Sequence, residues 1–272
     1  MALNNMKTAT ITFHAPNNNG SFLQAYALQK YITTHFDNVE NEIIDFQPES
    51  QQQQYAIFRK IHSKKDILRN LISFWHYKAL SKRFLAFSEM REKYLKMTKR
   101  CTTTEEAIKI AGNYDLVIAG SDQIWNTTAR DFSEAFFLPG ISKKSTYAVS
   151  CGSHLNEVDC DRICSAMETF ENVSVREIDT REFLEKHTKR SIETVLDPAF
   201  LLTKEDYSGL YDKERILKEK YIFLYTINYD EDALKQTVRV AERLGGCKIV
   251  TPFTGYSAIT VSYTHLRAHE TL

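Results

Sequence analysis

Short apolar runs of strand length alternate with segments of helical period along most of the chain, and each run halts at a small or charged residue. Thr8 to Phe13 reads as a first strand, rich in Thr and Ile. It runs into the turn cluster His14-Ala15-Pro16-Asn17-Asn18-Asn19-Gly20. From Ser21 to about Thr33, Phe22, Ala25, Leu28 and Ile32 recur on one helical face. Glu42 to Phe46 is a second strand ending in Gln47-Pro48, and Leu116 to Ala119 is a third. Ser145 to Ser150, Asn172 to Val175 and Ile192 to Leu196 continue the series, with helical patterns over Asp159 to Phe170 and Thr180 to His187. Thr102-Thr103-Thr104-Glu105-Glu106 has the composition of a helix start. This alternation predicts an α/β fold with a parallel, doubly wound sheet.

Ligands of such sheets bind beyond the carboxyl ends of the strands. There the third strand delivers Gly120, Ser121, Asp122 and Gln123, followed by Trp125 and Asn126. The alternative reading is a polar turn in which Asp122 caps the next element and Trp125 packs into the core. Other strand ends repeat the pattern: Ser150-Cys151-Gly152, then Arg176-Glu177, then Asp197-Pro198. A guanidinium directly after a buried strand needs an anion, and its planar fork suits carboxylate or phosphate. For Arg176 the alternative is an internal ion pair with Glu177 or Asp197. After the first strand, Asn19 or Ser21 can cap the helix, and the amides around Gly20 offer an anion site. The loop is neither a GxGxxG nor a P-loop, so no dinucleotide or Walker-type nucleotide is indicated. His14 alone reads as a hydrogen-bonded strand-end histidine.

Charge and cysteine content narrow the classes. Thirty-five basic residues balance 35 acidic ones, which argues against nucleic acid as a partner. Five irregularly spaced cysteines argue against a disulfide framework, and Cys160 and Cys164 lack a second ligand pair for zinc, so no metal is expected. The N-terminal residues lack an apolar core of signal-peptide length and no run approaches a membrane span, so a cytoplasmic location is expected. Between 59 and 100 a helical stretch carries Arg59, Lys60, Lys64, Lys65, Arg69, Lys78, Lys82 and Arg83. Ile67, Leu68, Leu71, Phe74 and Trp75 give it an apolar face. The favoured reading is a helix covering the sheet with a solvated basic side. Attraction of phosphorylated or lipid-linked acceptors, and peripheral contact with the inner face of a membrane, stay open.

Val261 to Leu272 breaks the apolar rhythm and resembles the in-frame translation of a sequencing-library adapter. The expectation is that it is non-native, which leaves His265 and His269 no standing as metal ligands; the alternative is a native polar helix end. The natural chain is expected to continue beyond Thr260.

Five blocks, in order, resemble the polysaccharide pyruvyl transferase family. They are Gly20-Ser21-Phe22-Leu23-Gln24-Ala25-Tyr26-Ala27-Leu28-Gln29, Gly120-Ser121-Asp122-Gln123-Ile124-Trp125-Asn126, Tyr147-Ala148-Val149-Ser150-Cys151-Gly152, Ser174-Val175-Arg176-Glu177 and Val195-Leu196-Asp197-Pro198. Asn18-Asn19 departs from the family's common Asn-Tyr, and Cys151 from its apolar residue. The resemblance implies a two-lobed, GT-B-like architecture. Residues 1–202 form the first Rossmann-like lobe and 203–260 the start of an incomplete second, with first strands at Tyr221 to Ile227 and Lys248 to Pro252. It implies transfer of pyruvyl from phosphoenolpyruvate to a sugar of a cell-surface polysaccharide or its precursor, giving a pyruvate ketal. Phosphoenolpyruvate is a substrate, and no cofactor is implied. Arg176, His14 and Asp122 are the candidate catalytic residues. Asn19, Gly20, Ser121, Gln123, Ser150, Gly152, Glu177 and Asp197 are the candidate substrate-binding ones. The family's second-lobe histidine, following Ser or Phe, is missing between Tyr221 and Thr260, so the chain as written is expected to be inactive. A nucleotide-sugar-dependent GT-B glycosyltransferase and a non-catalytic glycan-binding relative are the alternatives.

Overall fold

The computed structural model describes residues 5–152, 157–211, 217–225 and 231–251. Strands β1 (Met6–Ile11), β2 (Val39–Ile43), β3 (Leu116–Ala119) and β4 (Lys144–Thr146) form a parallel sheet in the order β2-β1-β3-β4. Single-residue bridges from Val149 to Asp122 and to Val175 carry the pairing on to β5 (Ser174–Val175), which pairs in parallel with β6 (Glu193–Thr194). Helices α1 (Asn19–His35), α5 (Thr104–Ala111), α6 (Glu157–Met167) and α7 (Ile178–Leu184) lie between successive strands. The α/β class and the parallel sheet are therefore as the alternation predicts.

The sheet is covered differently on its two faces. Ala9, Ile11, Val117 and Ala119 join Ala107, Ala111, Ile163 and Leu184 in the main core. The alternate residues Thr8, Thr10 and Thr12 are buried too, and they meet polar partners. Asn41 Nδ2 donates to Thr8 Oγ1 (2.9 Å) and Thr10 Oγ1 (3.2 Å). Gln24 Nε2 donates to the carbonyls of Phe13 and Ser21, each at 2.9 Å. Gln29 binds Lys96 N and O at 2.8 and 2.9 Å. Both glutamines of the α1 block thus clamp backbone from inside. Gly120 permits this closure, because a Cβ there would sit 2.9 Å from Thr10 Cγ2 and 3.2 Å from Leu28 Cδ2.

Several boundaries differ from the sequence expectation, each for a local reason. The second strand runs over Val39–Ile43 because Asn41 is held by the β1 threonines, while Ile44 and Phe46 are buried beyond the ladder. The fourth stops at Thr146, and Ala148 turns left-handed at φ 52°. Thr146 and Ser174 replace the ladder there with hydrogen bonds of 2.6 to 3.1 Å involving their side chains. The α5 start is the expected one: Thr103 and Glu106 make a reciprocal capping box.

The basic stretch departs most. It forms α3 (Lys64–Trp75) and α4 (Tyr77–Tyr94), after the short α2 (Glu49–Tyr55), and breaks at His76. The α3 apolar residues do not cover the sheet: Leu71, Phe74 and Trp75 are 56, 70 and 83% exposed. Met90 and Tyr94 of α4 already pack on Phe22 and Ala25 of α1, so α3 lies outboard.

Residues 203–211 lean on α1 and α4 through Lys30 Nζ to Asp206 O (2.9 Å) and Tyr94 Oη to Gly209 O (2.7 Å). Next come β7 (Tyr221–Phe223), α8 (Glu231–Arg243) and β8 (Lys248–Val250), a parallel strand–helix–strand unit. Ile227, Pro252 and the tail 261–272 lie outside the described residues. No helix among the described residues is long and apolar enough to cross a membrane.

Candidate active site

With the order β2-β1-β3-β4, the chain leaves β1 toward one side and β3 toward the other, so their carboxyl ends bound the crevice where such sheets take ligands. Thr12 Oγ1 ties the two ends together, donating to Ser121 O at 2.7 Å. Asn18 caps α1, its Oδ1 accepting from Gly20 N at 2.7 Å, so neither Asn19 nor Ser21 is the cap. Ser21 Oγ instead donates to Asp122 Oδ2 at 2.8 Å. Asp122 sits at φ 75°, a left-handed conformation that is uncommon outside Gly, Asn and Asp and recurs at functional turns. Its Oδ1 accepts from Gln123 N at 2.8 Å. Asn19, Gly20 and Gln123 are exposed on the rim.

A second group joins at Ser121. Its hydroxyl, fully buried, donates to Asp197 Oδ2 (3.3 Å), which also accepts from Arg176 Nη1 (2.9 Å). Arg176 Nε donates to Glu177 Oε1 at 3.0 Å. Burial alone would push the guanidinium down, but the hydrogen bonds and charges of Glu177 and Asp197 lift it above its ordinary value. Both internal ion pairs considered for Arg176 thus exist together, while its Nη2 makes no hydrogen bond among the described residues. Ser150 is buried, with its N bonded to Asp122 O at 3.0 Å and its Oγ accepting from Gly152 N at 3.2 Å. Gly152, at φ 77°, lies so close to Asn126 that a Cβ would come within 2.6 Å of Nδ2. Trp125 is core, fully buried against Phe137 and Phe170.

His14 stands apart from this group. Its ring is 0% exposed, with Nδ1 3.2 Å from Thr12 O and Nε2 2.9 Å from Asp45 Oδ1. Both nitrogens are engaged internally, so the residue holds the β1 end in place and presents no ring atom to solvent. Burial pushes the Asp45 carboxyl up, but His14, then Gln47 and Arg100, outweigh it and bring it to about 2.

Three groups escaped the sequence reading. Asp131 is 6% exposed, and burial, then the Asp122 charge, hold its carboxyl above the usual range against a hydrogen bond from Gln51. Tyr55 is pushed up to about 12 by burial, then by Asp131 and Asp122. Arg91 of α4 is 9% exposed and donates to Ala15 O at 3.0 Å, beside a cavity of about 480 Å³ that Gln51, Tyr55 and Arg100 also line. No motif marks Asp131: it lies in an irregular loop, and only the tertiary fold brings it within reach of the Asp122 charge.

No cluster of three His, Cys, Asp or Glu among the described residues could hold a metal ion. Arg176 is the cation at these strand ends, and a guanidinium fork suits carboxylate or phosphate. No curated protein matches the sequence. The model of the family described as polysaccharide pyruvyl transferase matches residues 18–251 and so takes in every block around the crevice. On that match the chain belongs to the polysaccharide pyruvyl transferase family.

Proposed function

We propose that the crevice transfers the pyruvyl group of phosphoenolpyruvate to two hydroxyls of a polysaccharide sugar or its precursor, forming a ketal. Both hydroxyl oxygens bond to the enol carbon, and its bond to the phosphate oxygen breaks. One hydroxyl proton ends on the former methylene carbon and the other on the released phosphate. The observation that carries the reading is the convergence of Arg176, Asp197, Ser121, Asp122 and Ser21 on the ends of β3 and its neighbours.

Arg176, fixed by two carboxylates, offers Nη2 to the substrate carboxylate or phosphate. Asp122 is the base that accepts the proton of the attacking hydroxyl, oriented by Ser21. Asn19, Gly20 and Gln123 form the rim that meets the sugar, and His14 acts as a positioning residue behind it. Asp131, buried within reach of the Asp122 charge, keeps its proton to higher pH than an ordinary aspartate. The β7–α8–β8 unit is the start of the opposing lobe in a GT-B-like arrangement.

The test is incubation with phosphoenolpyruvate and a glycan acceptor, reading acceptor-dependent phosphate release and the ketal methyl signal by NMR; the chain as written, without the Ser- or Phe-preceded histidine, is expected to bind phosphoenolpyruvate and not to turn it over. Consumption of a nucleotide sugar in its place, with no phosphoenolpyruvate turnover, refutes the reading in favour of glycosyl transfer.

A further inference from the structure

Helix α3 is packed the wrong way round for a helix that borders only water. Ile67, Leu68, Leu71, Phe74 and Trp75 recur with helical spacing and share an arc of about 120°. All of them are exposed, whereas Ser73, on the opposite side of the helix, is fully buried. The anchoring contacts come from polar positions. Asn70 Nδ2 donates to Arg59 O (2.9 Å) and its Oδ1 accepts from Arg59 N (3.0 Å). Asp66 Oδ2 accepts from Ser63 Oγ (2.8 Å) and His62 N (3.1 Å), and Ser63 caps the helix. The apolar row is therefore held outward. At the carboxyl end of α3 the exposed Tyr77 stacks on the exposed Phe58, with ring centroids 5.8 Å apart, and adds aromatic surface. Large apolar side chains left together in water mark a surface that another body covers.

Charge says which body. From Arg59 to Ser88 the chain carries eight basic residues and one acidic, Asp66, although its 35 basic and 35 acidic residues balance overall. Asp66 is committed to the cap of α3. Lys64 and Lys65 in the first turn of α3, and Lys78 and Lys82 on α4, are exposed. An apolar row edged by lysines matches the two layers of an anionic bilayer surface, acyl chains within and headgroup phosphates above. Trp75 closes the row with an indole, a ring that suits the boundary between those layers. A second copy of the chain fits less well, since a twofold contact through this face sets like charges against each other.

We propose that α3 docks on an anionic bilayer, lying in its surface with the apolar row among the acyl chains and Lys64 and Lys65 beside the headgroup phosphates. At 12 residues α3 is far short of a span, so the chain lies on the membrane and does not cross it. The docking does not depend on what the crevice transfers.

The test is sedimentation of the full chain with vesicles of phosphatidylcholine, alone or mixed equally with phosphatidylglycerol, read together with tryptophan emission. Trp75 and Trp125 are the two tryptophans of the chain and Trp125 is fully buried, so a blue shift on adding vesicles reports Trp75. Binding to the mixed vesicles exceeds that to phosphatidylcholine at least tenfold and weakens with added salt. Replacing both Phe74→Gln and Trp75→Gln lowers it at least tenfold, while Trp75→Phe keeps it. Replacing both Lys64→Gln and Lys65→Gln removes most of the preference for phosphatidylglycerol. These side chains are exposed, and circular dichroism checks that each variant folds. Absence of binding to mixed vesicles by the unaltered chain overturns the proposal, as does full retention of binding without Phe74 and Trp75. A lipid-free dimer that the same double replacement abolishes, with no vesicle binding, assigns the face to a second copy instead. Retention on double-stranded DNA and not on vesicles assigns it to nucleic acid and equally overturns the proposal. Neither readout involves turnover, so failure of docking and failure of the ketal assay are separate results.

Discussion

The Ser21 hydroxyl donates to Asp122 Oδ2 at 2.8 Å, linking the first turn of α1 to the turn after β3 across 101 residues. Ser21 is buried and Asp122 only partly so, which leaves the carboxylate oriented from the protein side and open on the other. Two of the family-like blocks are thereby one structural unit.

Backbone and charge at Asp122 can be separated by substitution. Asn tolerates the left-handed conformation, so Asp122→Asn changes stability by less than about 1 kcal/mol. Asp122→Val forces a β-branched residue to φ 75° and removes both side-chain hydrogen bonds. It costs roughly 2–4 kcal/mol in urea denaturation. In a form of the protein that turns over, acceptor-dependent phosphate release falls about 100-fold or more in Asp122→Asn if the carboxylate is the base.

Arg176→Ala leaves Asp197 facing Ser121 without its cation. The pair is partly exposed, at 29% and 21%, so the stability loss stays at about 1–2 kcal/mol. Binding of phosphoenolpyruvate, read by calorimetry, weakens at least tenfold in that variant. Arg176→Lys restores most of the stability and little of the affinity, because the ammonium cannot reproduce the fork.

The His14–Asp45 pair gives the fold an acid limb. The Asp45 carboxyl sits at about 2 in the folded chain, against 3.8 ordinarily. A lowered folded value contributes stability that is complete above the unfolded value and is lost as pH falls through the folded one. The window is therefore pH 4 down to 2, and the contribution is on the order of 2 kcal/mol. Urea midpoints of the unaltered chain and Asp45→Asn, measured from pH 5 to 2, should converge across that window. A constant gap between them would exclude Asp45 as its source.

Some of this was legible in the residues. Leu116 to Ala119 could be read as a strand because an apolar run ends at Gly120, and Arg176 could be paired in advance with Glu177 and Asp197 by charge alone. The roles of Ser21, Asp45 and Asp131 could not, since each depends on a partner far along the chain or in an irregular loop. The α3 apolar row misled for a related reason. Periodicity identifies a face but not what it meets, and α4 had taken the place beside α1.

Gly152 tests how tightly the β3 and β4 ends are closed on each other. Its φ of 77° is strained for any side chain, and a Cβ would stand 2.6 Å from Asn126 Nδ2 and 3.0 Å from Asn126 Cγ. Asn126 cannot swing away freely, because Nδ2 donates to Gln123 Oε1 (3.1 Å) and Oδ1 accepts from Thr128 Oγ1 (2.7 Å). Gly152→Ala therefore costs about 2–4 kcal/mol, the backbone strain plus the displaced amide. Asn126→Ala removes the obstruction and leaves the strain. The double variant should then be less destabilised than the sum of the single ones, by about 1 kcal/mol or more. Simple additivity in denaturation midpoints would mean that the clash is relieved elsewhere, and that the Asn126–Gly152 contact does not fix the separation of Asp122 from Ser150.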